Sequence, residues 1–108
     1  MKYFVKGEFV EPGPTFSLQQ FGQMLENIIF PSFEAVIKLE KEKKIMAAGV
    51  LTGARAGIFI VDVESNEELT RLLHGLPFWG LLKWEVVPLD SFEDRLQLER
   101  QYLEKLKK

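Results

Sequence analysis

Two apolar runs of strand length lie close together in the middle of this chain. Ile45 to Leu51 is continuous, Ile58 to Val63 is rich in β-branched residues, and Thr52-Gly53-Ala54-Arg55-Ala56-Gly57 forms a turn between them. Short runs joined by a glycine-containing turn fold as a hairpin. The second run is the stronger constraint, because side chains alternate across a strand. Phe59, Val61 and Val63 project to one side and Ile58 and Ile60 to the other, so neither face suits water. Whatever surrounds this hairpin must offer apolar cover on one side and leaves a second apolar face to be accounted for.

The remaining elements place the hairpin in a layered fold. Lys2 to Val10 alternates apolar and charged residues as a half-buried strand does, and Pro12-Gly13-Pro14 ends it. Ser17 is a suitable N-cap for a long helix with a stripe of Leu18, Phe21, Leu25, Ile28, Val36 and Leu39, on which Ser32 is the one soft step. The stripe keeps one face through Pro31, which predicts a kinked helix rather than two. From Ser17 to Lys44 such a helix would span about 42 Å, long for a small domain. Ser65 and Glu68 have the spacing of a capping box. They open a short helix that turns Leu69, Leu72 and Leu73 inward and stops at Gly75. Gly80 to Leu89 reads as a fourth strand with Leu82, Trp84 and Val86 on one face. Asp90 or Ser91 caps a last helix bearing Phe92, Leu96, Leu103 and Leu106. Val5, Ile60 and Trp84 are the expected core.

The order strand, helix, strand, strand, helix, strand, then helix predicts an α+β ferredoxin-like sandwich. Its four-stranded antiparallel sheet would carry both main helices on one face. The expected domain is residues 1–90, with 91–108 a surplus helix packing on a partner subunit. The other sheet face would be covered by a second copy of the chain, in a homodimer or a higher homo-oligomer.

Composition narrows the chemistry. The 108 residues contain no cysteine and one histidine. This removes disulfide frameworks, thiolate metal sites, a cysteine nucleophile and a multi-histidine metal site. A net charge of −2 gives no general attraction to nucleic acid or to anionic membranes. The run from Lys38 to Lys44 is diluted by Glu40 and Glu42, and suits a helix C-terminus better than a phosphate patch. Arg55 to Asp62 has one aromatic where an RNA-binding sheet places several. The turn from Gly53 to Gly57 lacks the Lys-Ser/Thr and the helix of a phosphate loop. No apolar run approaches the ~18 residues of a membrane span. The opening residues acquire charge too soon for a signal peptide, so the cytoplasm is the expected location.

One stretch is more specific. Gly53, then Ile58-Phe59-Ile60-Val61-Asp62-Val63-Glu64-Ser65-Asn66-Glu67-Glu68-Leu69, then Leu73-His74-Gly75-Leu76-Pro77-Phe78, then Trp84-Glu85-Val86 resembles the muconolactone isomerase family at matching spacing. Tyr3-Phe4-Val5-Lys6 resembles that family's first strand, and the similar parts cover about half the chain, mainly Gly49 to Pro88. The same layout occurs across the dimeric α+β barrel group. This chain has Leu76 where YCII-like members carry an acidic residue, and Phe4 where the isomerases carry a histidine.

The resemblance implies two ferredoxin-like units paired sheet to sheet as a dimeric α+β barrel, with a small pocket in each subunit. It also implies an isomerase that moves a proton on a lactone without metal or cofactor. Such a shift needs a group to take a proton beside a carbonyl and a donor to hold the enolate oxygen. Lys6, Asp62 and His74 are the expected catalytic residues, and Arg55, Phe78 and Trp79 the expected substrate-binding ones. Each has an ordinary structural alternative. Lys6 can be a wetted strand residue, Asp62 can bond the strand-to-helix turn, and His74 can sit exposed at a helix C-terminus. Arg55 can be a solvated turn charge, and Phe78 and Trp79 can be packing aromatics. A non-catalytic ligand-binding or assembling domain is the alternative function.

Overall fold

The computed structural model describes residues 1–10 and 17–108. The strand-ending role expected of Pro12-Gly13-Pro14 lies outside the described residues. Four strands, β1 (Lys2–Phe9), β2 (Ile45–Val50), β3 (Ala56–Asp62) and β4 (Leu82–Leu89), form one sheet in the order β2-β3-β1-β4. Every pairing is antiparallel. The helices are α1 (Leu18–Met24), α2 (Phe30–Lys41), α3 (Asn66–His74) and α4 (Phe92–Leu106). This is the expected four-stranded α+β ferredoxin-like sandwich, with an added C-terminal helix.

Strand parity decides which side chains meet the helices. Tyr3 and Val5 of β1 and Phe59 and Val61 of β3 are buried against Leu69, Leu73 and Leu76. Ile28, Ile29, Val36 and Leu39 pack on the same cluster from the first helical segment. Val5 is thus core as expected, and Trp84 faces this layer half-buried. Ile60 is corrected: it lies in register with Phe4, on the opposite face, and is only partly buried. Beside Phe4 in β4 stands Val87, so Ile60, Phe4 and Val87 form an apolar row on a face that no helix among the described residues covers. The next row on that face, Ile58, Lys6 and Glu85, has one apolar and two charged residues.

The long helix bends where its backbone chemistry requires it, slightly ahead of Pro31. Between α1 and α2 the chain takes one π-helical turn, Leu25–Ile29, in which the Phe30 N–H reaches the Leu25 carbonyl. Proline has no N–H and its ring presses on the carbonyl four residues back, so the turn before it widens. Ser32 completes the repair. Fully buried, it donates to the Ile28 carbonyl at 2.7 Å and accepts the Phe78 N–H at 3.0 Å. The soft step on the stripe is therefore the pin between the first helical segment and the loop leading to β4. At the other end Lys43 has a φ of 62°. The Lys44 N–H bonds the Leu39 carbonyl and the Lys43 N–H the Glu40 carbonyl, a Schellman ending with lysine in the glycine position.

Capping follows the sequence with one change. Ser17 and Gln20 form a reciprocal capping box. Ser65 accepts from the Glu68 N–H as expected, but the Glu68 carboxylate takes the N–H of Glu64, one residue before the cap. The fourth strand starts later than predicted, because Trp79–Leu81 form a 3-10 turn. Ser91, not Asp90, caps α4. That helix projects from the sandwich with all its residues exposed. It gives the molecule extents of 66 × 31 × 24 Å and a radius of gyration of 18.1 Å. A compact chain of this length would have a radius near ~13 Å.

Candidate functional site

A cavity of about 440 Å³ lies between the first helical segment and the β2–β3 hairpin. Phe21 of α1, Leu25 and Ile29 of the π turn, and Phe33, Val36 and Ile37 of α2 form one wall. Ala48 to Val50, Ala54 to Gly57 and Phe59 form the other, with Phe78 and Leu82 at the base of the sheet. The widened π turn turns Leu25 and Ile29 toward this space. The Ser32 pin holds both the turn and Phe78, so one buried hydroxyl fixes two parts of the wall. Opposite them Gly49 and Gly57 keep the hairpin low.

Among the described lining residues two are ionisable, Glu40 on α2 and Arg55 on the hairpin turn. The Arg55 guanidinium stands 5.1 Å from the centre of the Phe21 ring, a cation–π contact between hairpin and helix. The remaining described lining is apolar and includes six phenylalanines. Such a space can take a molecule with an apolar body and hold an anionic group at the guanidinium, where a planar fork of donors matches a carboxylate.

The residues expected from sequence divide sharply. Arg55 and Phe78 line the cavity. Trp79 does not: it is half-buried between neighbours, stacked on Trp84 at 5.4 Å, with its carbonyl accepting the Trp84 indole N–H at 3.0 Å. Lys6 lies on the uncovered sheet face, in register with Ile58 and Glu85. Asp62 is half-exposed at the end of β3, and one carboxylate oxygen pairs with the Met1 ammonium at 3.2 Å. His74 is exposed at the end of α3, its ring 4.2 Å from that of Trp79.

The three expected catalytic residues therefore do not converge on one cavity within a chain. Parity puts Lys6 and Asp62 on the sheet face away from the helices, and His74 ends a helix that does not line the cavity. Sequence reading did not single out Phe21, Phe30, Phe33 and Glu40 as cavity-lining residues. The available signal was a surplus: the first helix carries three phenylalanines, more apolar bulk than a single core-facing stripe needs. Among the described residues no helix is long and apolar enough to cross a membrane.

Comparison with known proteins agrees with this architecture. The chain is 42% identical over 53 residues to the muconolactone Delta-isomerase of Acinetobacter baylyi, a match covering 49% of this chain and 55% of that protein. It is 45% identical over 51 residues to muconolactone Delta-isomerase 1 of Acinetobacter lwoffii, covering 47% of this chain and 53% of that one. The chain thus spans about half the length of the curated relatives it matches. A crystal structure of muconolactone isomerase superposes with a TM-score of 0.69 at 23% identity, over 84% of this chain and 90% of that one. A 5-chloro-2-hydroxyhydroquinone dehydrochlorinase from Burkholderia phenoliruptrix, in complex with 2,5-dihydroxybenzoquinone, gives 0.56 at 19% identity, over 85% of this chain and 97% of that one. At these identities the structural likenesses carry the fold alone. The family profile described as muconolactone delta-isomerase matches residues 19–95, which include the cavity-lining helices, the hairpin, α3 and β4, and the chain belongs to that family.

Proposed function

We propose that the cavity beside Arg55 is the site of a cofactor-free proton shift on a small lactone or carboxylated metabolite, in the cytoplasm. The observation that carries this reading is the presence of one guanidinium, Arg55, and one carboxylate, Glu40, in a described lining that is otherwise apolar. In this reading Glu40 takes the proton from the carbon γ to the carbonyl, next to the conjugated double bond. The resulting dienolate oxygen is held by Arg55, and Glu40 returns the proton to the α carbon two positions away, so the α,β double bond becomes β,γ and nothing is consumed. The assembly belongs to the same proposal. A second copy pairs with the row of Ile60, Phe4 and Val87 to close an α+β barrel, and residues 91–108 pack on a neighbouring subunit.

Muconolactone is the first substrate to test, with double-bond migration followed by proton NMR. Glu40→Gln is expected to lower kcat by about 10²–10⁴-fold with little change in KM. Lys6→Ala, Asp62→Asn and His74→Ala are expected to leave kcat within about threefold, since their side chains lie outside the cavity; a larger loss would return them to the reaction. A second reading, a ligand-binding domain without chemistry, is favoured by the position of those same three residues. Tight binding of a lactone with no turnover on a panel of lactones would establish it.

A further inference from the structure

The charges that line the cavity cancel. Among the described lining residues Arg55 supplies one cation and Glu40 one anion, and no hydroxyl, amide or imidazole side chain joins them. A substrate carrying a carboxylate would set two anions against one cation in an apolar space. That carboxylate would give up water without matching donors in return, which costs affinity. The proposed proton shift places negative charge on the dienolate oxygen. A cation that meets substrate charge only at that stage contributes to rate rather than to ground-state binding.

The apolar part of the lining is extensive. Its phenylalanines stand on helices and sheet alike, and about 440 Å³ falls within the ~300–1,000 Å³ typical of sites that enclose drug-sized molecules. The apolar surface also continues outward, because Phe30, Phe33, Ile37 and Val50 are 52%, 42%, 49% and 62% exposed. From this lining, and resting on the cavity as the site of the proton shift, we infer that the preferred substrate is an uncharged unsaturated lactone with a hydrocarbon side chain on its γ carbon. The ring carbonyl meets Arg55 and the γ carbon meets Glu40. The alkyl or aryl side chain runs between the phenylalanines toward Phe30 and Val50. Muconolactone, whose side chain ends in a carboxylate, is then a poorer substrate than a hydrocarbon analogue of the same shape.

The test titrates the full chain at neutral pH with α,β-butenolides bearing γ-methyl, γ-isobutyl, γ-hexyl and γ-phenyl groups, and with muconolactone. Heat of binding is the first readout, and proton NMR of the double-bond position the second. The isobutyl compound has the outline of muconolactone with two methyls in place of the carboxylate oxygens. It is expected to bind at least tenfold tighter than muconolactone. Affinity should rise about three- to fourfold per methylene until the cavity is full. Glu40→Gln, which removes the anion facing the carboxylate, should narrow the gap between the isobutyl lactone and muconolactone at least threefold. Phe30→Ser, at an exposed position that tolerates a polar residue, should weaken the hexyl and phenyl compounds at least threefold and leave the methyl compound unchanged.

Muconolactone binding as tightly as the isobutyl lactone, or affinity independent of side-chain length, would overturn the inference. So would refusal of the hexyl and phenyl compounds because another copy covers the rim. The two readings separate cleanly. Turnover of muconolactone with no binding of the hydrocarbon lactones overturns this substrate class and leaves the isomerase standing. Graded binding of the hydrocarbon lactones, with no double-bond migration in any compound, overturns the isomerase and leaves the ligand class standing.

Discussion

Ser32 shows how one buried hydroxyl can hold a site. It is fully buried, it donates to the Ile28 carbonyl beside Pro31, and it accepts the Phe78 N–H. Ser32→Ala leaves that buried N–H without its acceptor, and a loss of about 1–3 kcal/mol is expected from urea unfolding. A serine on an apolar stripe could only read as a weak point, because the second partner is forty-six positions away in sequence. Lys43 offers the opposite sign. A residue with a side chain in the left-handed region is strained, so Lys43→Gly at this helix ending is expected to stabilise by about 0.5–1.5 kcal/mol, measured the same way. Gly7 is constrained by its neighbours instead. A β-carbon there would stand 2.8 Å from Leu82 Cδ1 and 3.0 Å from Trp84 Cζ3. Gly7→Ala is expected to cost about 1–3 kcal/mol as the indole is displaced.

At the scale of elements, α4 is the part least tied to the rest. Its apolar residues lie outside the core cluster, and Phe92 is 96% exposed. Its ion pairs stay within itself and its cap, with Arg95 on Asp90 and Glu99. The exposed Arg95 guanidinium is raised in pKa by hydrogen bonding to Asp90 and by both carboxylates. Deleting residues 91–108 is therefore expected to remove helical circular dichroism while leaving the urea midpoint of the sandwich within ~0.5 M. A collapse of the midpoint would mean that α4 packs on a sandwich, its own or that of a neighbouring subunit. The order of elements was legible from periodicity and caps, because alternation in β1 and β3 and the serines at 17, 65 and 91 are local signals. The cavity lining was legible in part. Arg55 and Phe78 could be picked out because a turn cation and an aromatic beside a proline stand out in one dimension. The cavity itself could not, since it exists only where the π turn opens against the hairpin. Lys6, Asp62 and His74 were attractive by residue type, yet strand parity and the end of α3 carry them elsewhere.

The whole molecule is an incomplete surface. Ile60, Phe4 and Val87 form an apolar row that no helix among the described residues covers, and α4 extends away from the core. Light scattering at micromolar concentration is expected to give at least twice the chain mass. Ile60→Lys, which places a charge in the row without touching the buried core, should release monomers. A monomeric wild type would contradict the sheet-to-sheet barrel. In the proposed assembly, the described cavity walls come from one chain and the open face meets a second copy, so Ile60→Lys is expected to leave the cavity intact. The most direct test of the central claim is proton NMR of muconolactone with the wild type and with Arg55→Leu. The account predicts that the wild type moves the double bond and that Arg55→Leu lowers kcat at least tenfold. A wild type inert on muconolactone and related lactones, or an Arg55→Leu variant with unchanged kinetics, would contradict it.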